Sequence, residues 1–271
     1  MGRTVVVTGD FDDLRSRHMR FLQEAARLGA LQVLLASDAS IAATRGRAPM
    51  FPEAERCYML EALRFVDRVT VTSVPCPDEI PPLTGVDPDI WVVDEPNDSM
   101  RKRVCAASHG MAYHVTREAD LAGFPMPAAP APTAGRKKVL VTGCYDWFHS
   151  GHVRFFEEVS QLGDLYVVVG HDANVRLLKG EGHPLFPAEE RRYIAQSVRY
   201  VHQALVSTGA GWMDAAPEIE RIQPDIYAVN EDGDKPEKRA YCEAHGLDYV
   251  VLRRLPKPGL DPRSSTVLRG F

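Results

Sequence analysis

Val139-Leu140-Val141-Thr142-Gly143-Cys144-Tyr145-Asp146-Trp147-Phe148-His149-Ser150-Gly151-His152 is the stretch that decides the fold of this 271-residue chain. Its β-branched start reads as a short buried strand ending at Gly143, and residues 150–162 place Val153, Phe156 and Val159 near helical spacing. The chain carries a second version of this stretch. Residues 9–29 align with 143–163 without a gap and share nine of 21 positions, among them Gly9/Gly143, Asp12/Asp146, Ser16/Ser150, His18/His152 and Gly29/Gly163. The match continues downstream: Phe51-Pro52 with Glu55-Arg56 recurs as Phe186-Pro187 with Glu190-Arg191, Pro88-Asp89-Ile90 as Pro224-Asp225-Ile226, and His109-Gly110 as His245-Gly246.

Each copy alternates strand and helix. In the second, the pattern predicts strands at 139–141, 165–169, 226–229 and 249–252, with helices at 150–162, 188–201 and 237–245. That alternation implies an α/β fold with two tandem Rossmann-like domains, each a parallel sheet flanked by helices, and places chemistry beyond the C-terminal ends of the strands. Pro125, Pro127, Pro130 and Pro132 among alanines predict an extended, semi-rigid spacer. The expected division is a first domain at 3–122, a Pro/Ala-rich linker at 123–136 and a second domain at 137–271.

Composition narrows the class. Apolar residues are 45% and charged residues 25%, the balance of a soluble globular chain, and runs such as Leu165 to Val169 fall far short of the roughly 20 residues that a spanning helix needs. The formal charge of -5 is spread over both halves, so neither is a basic nucleic-acid-binding domain. Five cysteines without a Cys-x-x-Cys pair suggest neither a zinc site nor a disulfide framework. Residues 1–5 run straight into an apparent strand without a signal-peptide core, so a cytoplasmic protein with no membrane or nucleic-acid partner is expected.

His149 and His152 fall three apart where the first helix of the second copy begins, a place where backbone amides and the helix dipole favour an anion. Gly151 between them lets a ligand approach the backbone. Two imidazole donors beside those amides suit a phosphate chain, although a single histidine is ordinarily structural. A metal reading needs a third ligand, for which Asp146 is the only nearby candidate, so no metal site made by the protein is expected. Taken singly, Lys179 also reads as a surface lysine, Arg191 as half of a helix-face ion pair and Ser264 as an N-cap.

Gly-Cys-Tyr-Asp-x-x-His-x-Gly-His resembles the signature of the His-x-Gly-His nucleotidyltransferase superfamily, and within it the cytidylyltransferases for glycerol 3-phosphate, phosphocholine and phosphoethanolamine. Lys179-Gly180 ahead of Phe186-Pro187-x-Glu-Glu-Arg191, the acidic loop Asn230-Glu231-Asp232 and the late Ser264-Ser265-Thr266 are similar to further segments of that family. The resemblance implies that the phosphate of an acceptor attacks the α-phosphorus of a nucleoside triphosphate and pyrophosphate leaves. It casts His149, His152 and Lys179 as catalytic. Gly143, Cys144, Tyr145, Asp146, Gly151, Arg191, Asn230, Asp232, Arg263, Ser264, Ser265 and Thr266 become nucleotide-binding, with Mg²⁺ arriving on the triphosphate. Arg253 and Arg254 compete with Arg263 for one position. The implied reaction moves CMP from CTP to a small phosphorylated or phosphonylated alcohol. Adenylyl transfer from ATP is the alternative, and a nucleotide-binding scaffold without turnover is the rival of another class. In the first copy Arg15 and Arg17 replace His149 and Gly151, and only Arg45 matches Lys179. That copy is therefore expected to be catalytically silent and to stand in for a partner subunit as an intrachain pseudo-dimer, with further homo-oligomerisation open.

Overall fold

The computed structural model describes residues 2–73, 78–80 and 87–268, without the side chains of Thr266 and Val267; Cys76 lies outside the described residues. Two compact units divide the chain, Met1–Gly123 and Phe124–Phe271.

The first unit runs β1 (Thr4–Gly9), α1 (Ser16–Ala26), β2 (Ala30–Ala36), α2 (Asp38–Arg45), α3 (Glu53–Glu61), β3 (Arg68–Thr72), β4 (Ile90–Asp94), α4 (Met100–Ser108) and β5 (Ala112–Thr116). The second runs β6 (Lys138–Gly143), α5 (Ser150–Val159), β7 (Asp164–Val169), α6 (Asp172–Lys179), α7 (Ala188–Ser197), β8 (Val201–Val206), α8 (Ala216–Ile222), β9 (Ile226–Asn230), α9 (Pro236–His245), β10 (Asp248–Leu252) and the short α10 (Ser265–Leu268). Each unit holds one five-stranded sheet, ordered β3-β2-β1-β4-β5 and β10-β9-β6-β7-β8, with every paired strand parallel. Helices must then cover both faces, and the inner strands accordingly read as continuous apolar runs: every residue of β4 and β7 is buried.

The strand order reverses between β6 and β9. β6 pairs with β7 along all six residues but with β9 only at Val139↔Ile226 and Leu140↔Tyr227. Past Leu140 the two strands part company, so a crevice opens between Gly143 and Asn230, where a doubly wound sheet binds its ligand. The first unit has the same short pairing, Val5↔Ile90 and Val6↔Trp91.

Two expectations are corrected. The helix predicted at 188–201 stops at Ser197, and 201–206 forms strand β8, because Val198 leaves the helical region (φ -80°, ψ 130°) and the chain turns into the sheet beside β7. The spacer predicted at 123–136 is docked on the second unit from Phe124 onward. Phe124 packs on the buried ring of Tyr193 with 5.8 Å between centroids, Pro127 is buried, and the Thr133 amide donates to Asp164. Proline content carried no information about what the apolar side chains would cover.

The duplication works as an internal control, since a residue that makes the same bonds in both units serves the fold through those bonds. Arg56 and Arg191 are such a pair. Arg191 is fully buried and donates from Nε to the Phe186 carbonyl, from Nη1 to that of Cys144, and from Nη2 to that of Gly170 and to Asp172. Arg56 makes the corresponding bonds to Phe51, Asp10, Ala36 and Asp38. Asp146 and Asp12 match likewise: Asp146 accepts from the Leu185 and Phe186 amides, and Asp12 from those of Met50 and Phe51.

The crest of the first unit differs by three coordinated exchanges. Where the second unit has Gly151, Asn230 and Arg254, the first has Arg17, Asp94 and Glu118, and Arg17 pairs with both carboxylates, at 2.8 Å to Asp94. An ion-pair bolt thus spans the ends of α1 and β4. Arg17 is 40% exposed, so solvent screens the bolt, and Arg17→Ala is expected to destabilise the first unit by about 1 kcal/mol, read as a lower urea midpoint. Adding Asp94→Asn should recover part of that loss. A double variant no more stable than the sum of its singles would mean that the pair contributes nothing.

Candidate active site

The site is built on the loop from Gly143 to His152. Gly143 is required because a Cβ there would lie 2.6 Å from the Tyr145 ring, which folds back over it from a left-handed backbone (φ 52°). Tyr145 in turn meets His152 edge-on at 5.3 Å, and Phe148 stacks on the other side of His152 at 5.5 Å. Confined in this way, His152 lies against His149 with 3.9 Å between ring centroids and 24° between planes.

His149 caps α5: its Nδ1 accepts from the Gly151 amide at 3.1 Å. In a neutral imidazole the nitrogen that accepts is the one without the proton, so Nε2 carries the hydrogen. That Nε2 is buried and has no hydrogen-bond partner among the described residues, as is true of His152 Nδ1 and the Tyr145 hydroxyl. Unpaired buried polar groups cost free energy, and three of them in one cluster of touching rings mark a place for a ligand.

The amides expected to greet an anion at the start of α5 are partly taken by the protein itself. His149 receives the Gly151 amide on its ring and the His152 amide, at 2.9 Å, on its carbonyl. The donor presented here is the imidazole, because an N-cap side chain satisfies the first turn from within.

Burial pulls the His149 imidazole down to about 3, with Arg254 and Arg263 adding to the effect. His152 lies well below its ordinary value through burial first, then His149, Arg254 and Lys179. Both rings are therefore neutral at pH 7. Their folded values sit below the unfolded one, so the unfolded chain binds protons first, and this contribution to stability is complete above about pH 6.5 and lost as pH falls through the folded values, about 3 for His149. The unfolding free energy of the second unit, read from urea titration, is expected to drop by on the order of 1–2 kcal/mol through His149 between pH 6.5 and 5, with a further loss through His152. A His149→Gln/His152→Gln variant should flatten that slope; an unaltered slope would refute the assignment.

The remaining candidates divide. Lys179 ends α6 exposed, close enough to Cys144 and His152 to act on both electrostatically. Arg263 and Ser264 line, with Gly151, Phe155, Asn230, Arg253 and Arg254, a cavity of about 330 Å³. Ser265 donates to the Trp147 carbonyl at 3.1 Å, tying the C-terminal segment to the histidine loop. The Thr266 side chain lies outside the described residues, and its backbone sits in α10. Asp232 pairs with Arg254 at 2.6 Å, and the Cys144 thiol, pushed up by burial, lies 4.0 Å from Arg191.

Of the residues read as nucleotide-binding, Arg191 bonds backbone carbonyls and Asp172 through all three guanidinium nitrogens, and Asp146 accepts two loop amides on Oδ1. The arginine question also has a fuller answer than one residue, because both Arg254 and Arg263 bear on His149. Residues with no warning in the spacing are Phe148, which sets the tilt of His152, and Asp214, which reaches the end of the sheet from a loop about 70 residues away in the chain.

Residues 6–108 and 140–254 match the cytidylyltransferase-like family, so the match spans most of the chain and both units. Among similar proteins, FAD synthase of Thermococcus kodakarensis is 36% identical over 128 residues, 44% of this chain and 80% of that one. FAD synthase of Ferroglobus placidus is 39% identical over 120 residues, 43% of this chain and 75% of the relative. No helix among the described residues is long and apolar enough to cross a membrane. With a paired-histidine crevice at the switch point of its second sheet and the family match over both halves, the chain belongs to the cytidylyltransferase-like family and is a nucleotidyltransferase of tandem arrangement.

Proposed function

We propose that the second unit transfers an adenylyl group from ATP to a small acceptor carrying a phosphate. The observation that carries this reading is the buried Nε2–H of His149, a donor with no acceptor among the described residues, on a ring stacked on His152. An acceptor phosphate oxygen attacks the α-phosphorus, the bond from that phosphorus to the oxygen bridging to the β-phosphorus breaks, and pyrophosphate leaves with the electron pair. The nucleophile is already an anion, so the protein's work is positioning and charge stabilisation. His149 and His152 donate to phosphate oxygens, Lys179 offsets charge from the α6 side, and Arg254 and Arg263 do so from the cavity side. Mg²⁺ would enter on the phosphates of ATP.

The relatives' name, FAD synthase, favours ATP as donor. Transfer of CMP from CTP to a phosphorylated alcohol is the second reading, favoured by the Gly143-Cys144-Tyr145-Asp146 start. The first unit, with its bolt at the crest and arginines for His149 and Gly151, takes no part in transfer.

Pyrophosphate release is the test, with ATP or CTP against flavin mononucleotide, glycerol 3-phosphate and phosphocholine. Release with ATP and a phosphate acceptor, together with a product containing AMP, is expected. Release with CTP alone would shift the reading to the second, and none with either nucleotide would overturn both.

A further inference from the structure

The ion-pair bolt of the first unit does not close its crevice. A cavity of about 320 Å³ persists there, reached by Gly9, Ala36 and Asp94, the last residues of β1, β2 and β4. This is the point where the sheet reverses its strand order, and the volume is at the lower end of the range for small-molecule sites, about 300–1,000 Å³. A copy that takes no part in transfer has thus kept a place for a ligand.

The two copies differ here in charge. Where the second has Cys144, Gly151, Lys179 and Asn230, the first has Asp10, Arg17, Arg45 and Asp94. All four line the cavity, and they are paired, Arg17 with Asp94 at 2.8 Å and Arg45 with Asp10. Neither pair is sealed in the core, since Arg17 and Arg45 are each 40% exposed. Glu79 and Lys102 also line the cavity, so its formal charge stays balanced, and Phe11, Phe21 and Ile41 give it an apolar side. His18, the counterpart of His152, lines it too, and its Nδ1 accepts the Arg15 amide at 3.1 Å. Burial and then the Arg17 charge hold this ring below its ordinary value, against the opposing pull of Asp10, Asp13 and Asp94. At pH 7 it is neutral, with the hydrogen on Nε2.

This lining selects by charge. A polyanion would meet the carboxylates of Asp10 and Asp94, and the Arg17 side chain stands where Gly151 leaves space in the second unit; a cation would meet Arg17 and Arg45. A hydroxyl group both donates and accepts, and an ion pair presents an acceptor and a donor side by side. Two such pairs, based on the adjoining strands β1 and β4, suit neighbouring hydroxyls on one molecule. We infer that the first-unit crevice is a binding site for a neutral polyhydroxylated molecule, a sugar or a polyol, which Arg17–Asp94 and Arg45–Asp10 hold by its hydroxyls while its C–H surface rests on the phenylalanines. The site is independent of the transfer reaction proposed for the second unit.

Saturation-transfer NMR on the full chain, with D-ribose, D-glucose, myo-inositol and ribitol at millimolar concentration, reads binding without turnover. At least one is expected to give a saturable signal, and the cyclic probes against open-chain ribitol show which form fits. Asp10→Asn should weaken that ligand about 10-fold, the scale for a hydrogen bond to a charged group. Thr44, exposed on α2, also lines the cavity, and Thr44→Trp should abolish the signal by filling it. Both variants are checked for an unchanged urea transition. His149→Asn in the second unit should leave the signal as it is. No signal from any of the four probes, a signal that Asp10→Asn or Thr44→Trp leaves intact, or one that His149→Asn removes, overturns the site. Inorganic phosphate gives the remaining arm: ³¹P line broadening that Thr44→Trp removes, without sugar binding, would make the crevice an anion site and refute the polyhydroxyl assignment.

Discussion

Alanine in place of His149 or of His152 is expected to lower kcat for pyrophosphate release by about 10²- to 10³-fold each, the scale for removing one preorganised donor to a developing phosphoryl charge. The argument rests on geometry. A donor at His149 Nε2 is held by the Gly151 amide bonded to its other nitrogen, and His152 is held between Tyr145 and Phe148. Neither ring must reorganise to meet the phosphates. Because the two stack at 3.9 Å, they act as one unit, and the double variant should lose much less than the product of the single losses. His149→Ala also removes an N-cap worth about 1 kcal/mol, so His149→Asn, which keeps a capping oxygen without the Nε2 donor, separates catalysis from helix stability. A His149→Asn enzyme that folds and loses activity supports the assignment. Full turnover in both alanine variants removes the mechanism.

Arg191→Ala is expected to be the most destabilising single change in the second unit, by about 3–5 kcal/mol, seen as loss of its cooperative urea transition at moderate denaturant. Truncation strands three backbone carbonyls, those of Cys144, Gly170 and Phe186, and leaves the Asp172 carboxylate unpaired. Each buried acceptor left without a donor costs about 1–3 kcal/mol, part of which water recovers. Arg191→Lys should rescue little, since an ammonium cannot reach four acceptors set in the plane of a guanidinium. Arg56→Ala offers the matched control, with the same loss confined to the first unit and no effect on turnover. If Arg191→Ala kept its stability and lost only nucleotide affinity, the ligand role read from the motif would be right and the anchor role wrong.

Repetition, strand-helix alternation and a glycine after each first strand were enough to determine two doubly wound parallel sheets, because the burial of both sheet faces writes itself into the sequence as apolar runs such as 165–169. The pairing of His149 with His152 was likewise legible, since positions three apart on a helix share a face. Beyond local range the sequence was ambiguous in a consistent way. The end of α7 was misplaced and β8 was missed because Ile194, Val198 and Val201 keep helical spacing, and sheet pairing to β7 decided otherwise. Arg191 carries the same letter whether it grips a phosphate or three carbonyls; only the fold brings the ends of β6 and β7 and the start of α7 around its guanidinium. Tertiary structure also decided that Arg254 joins Arg263 in lining one cavity and that the proline-rich segment packs on the second unit. Each of these depends on contacts between distant segments, whose relative placement is set by packing of the whole sheet rather than by any residue's neighbours in the chain.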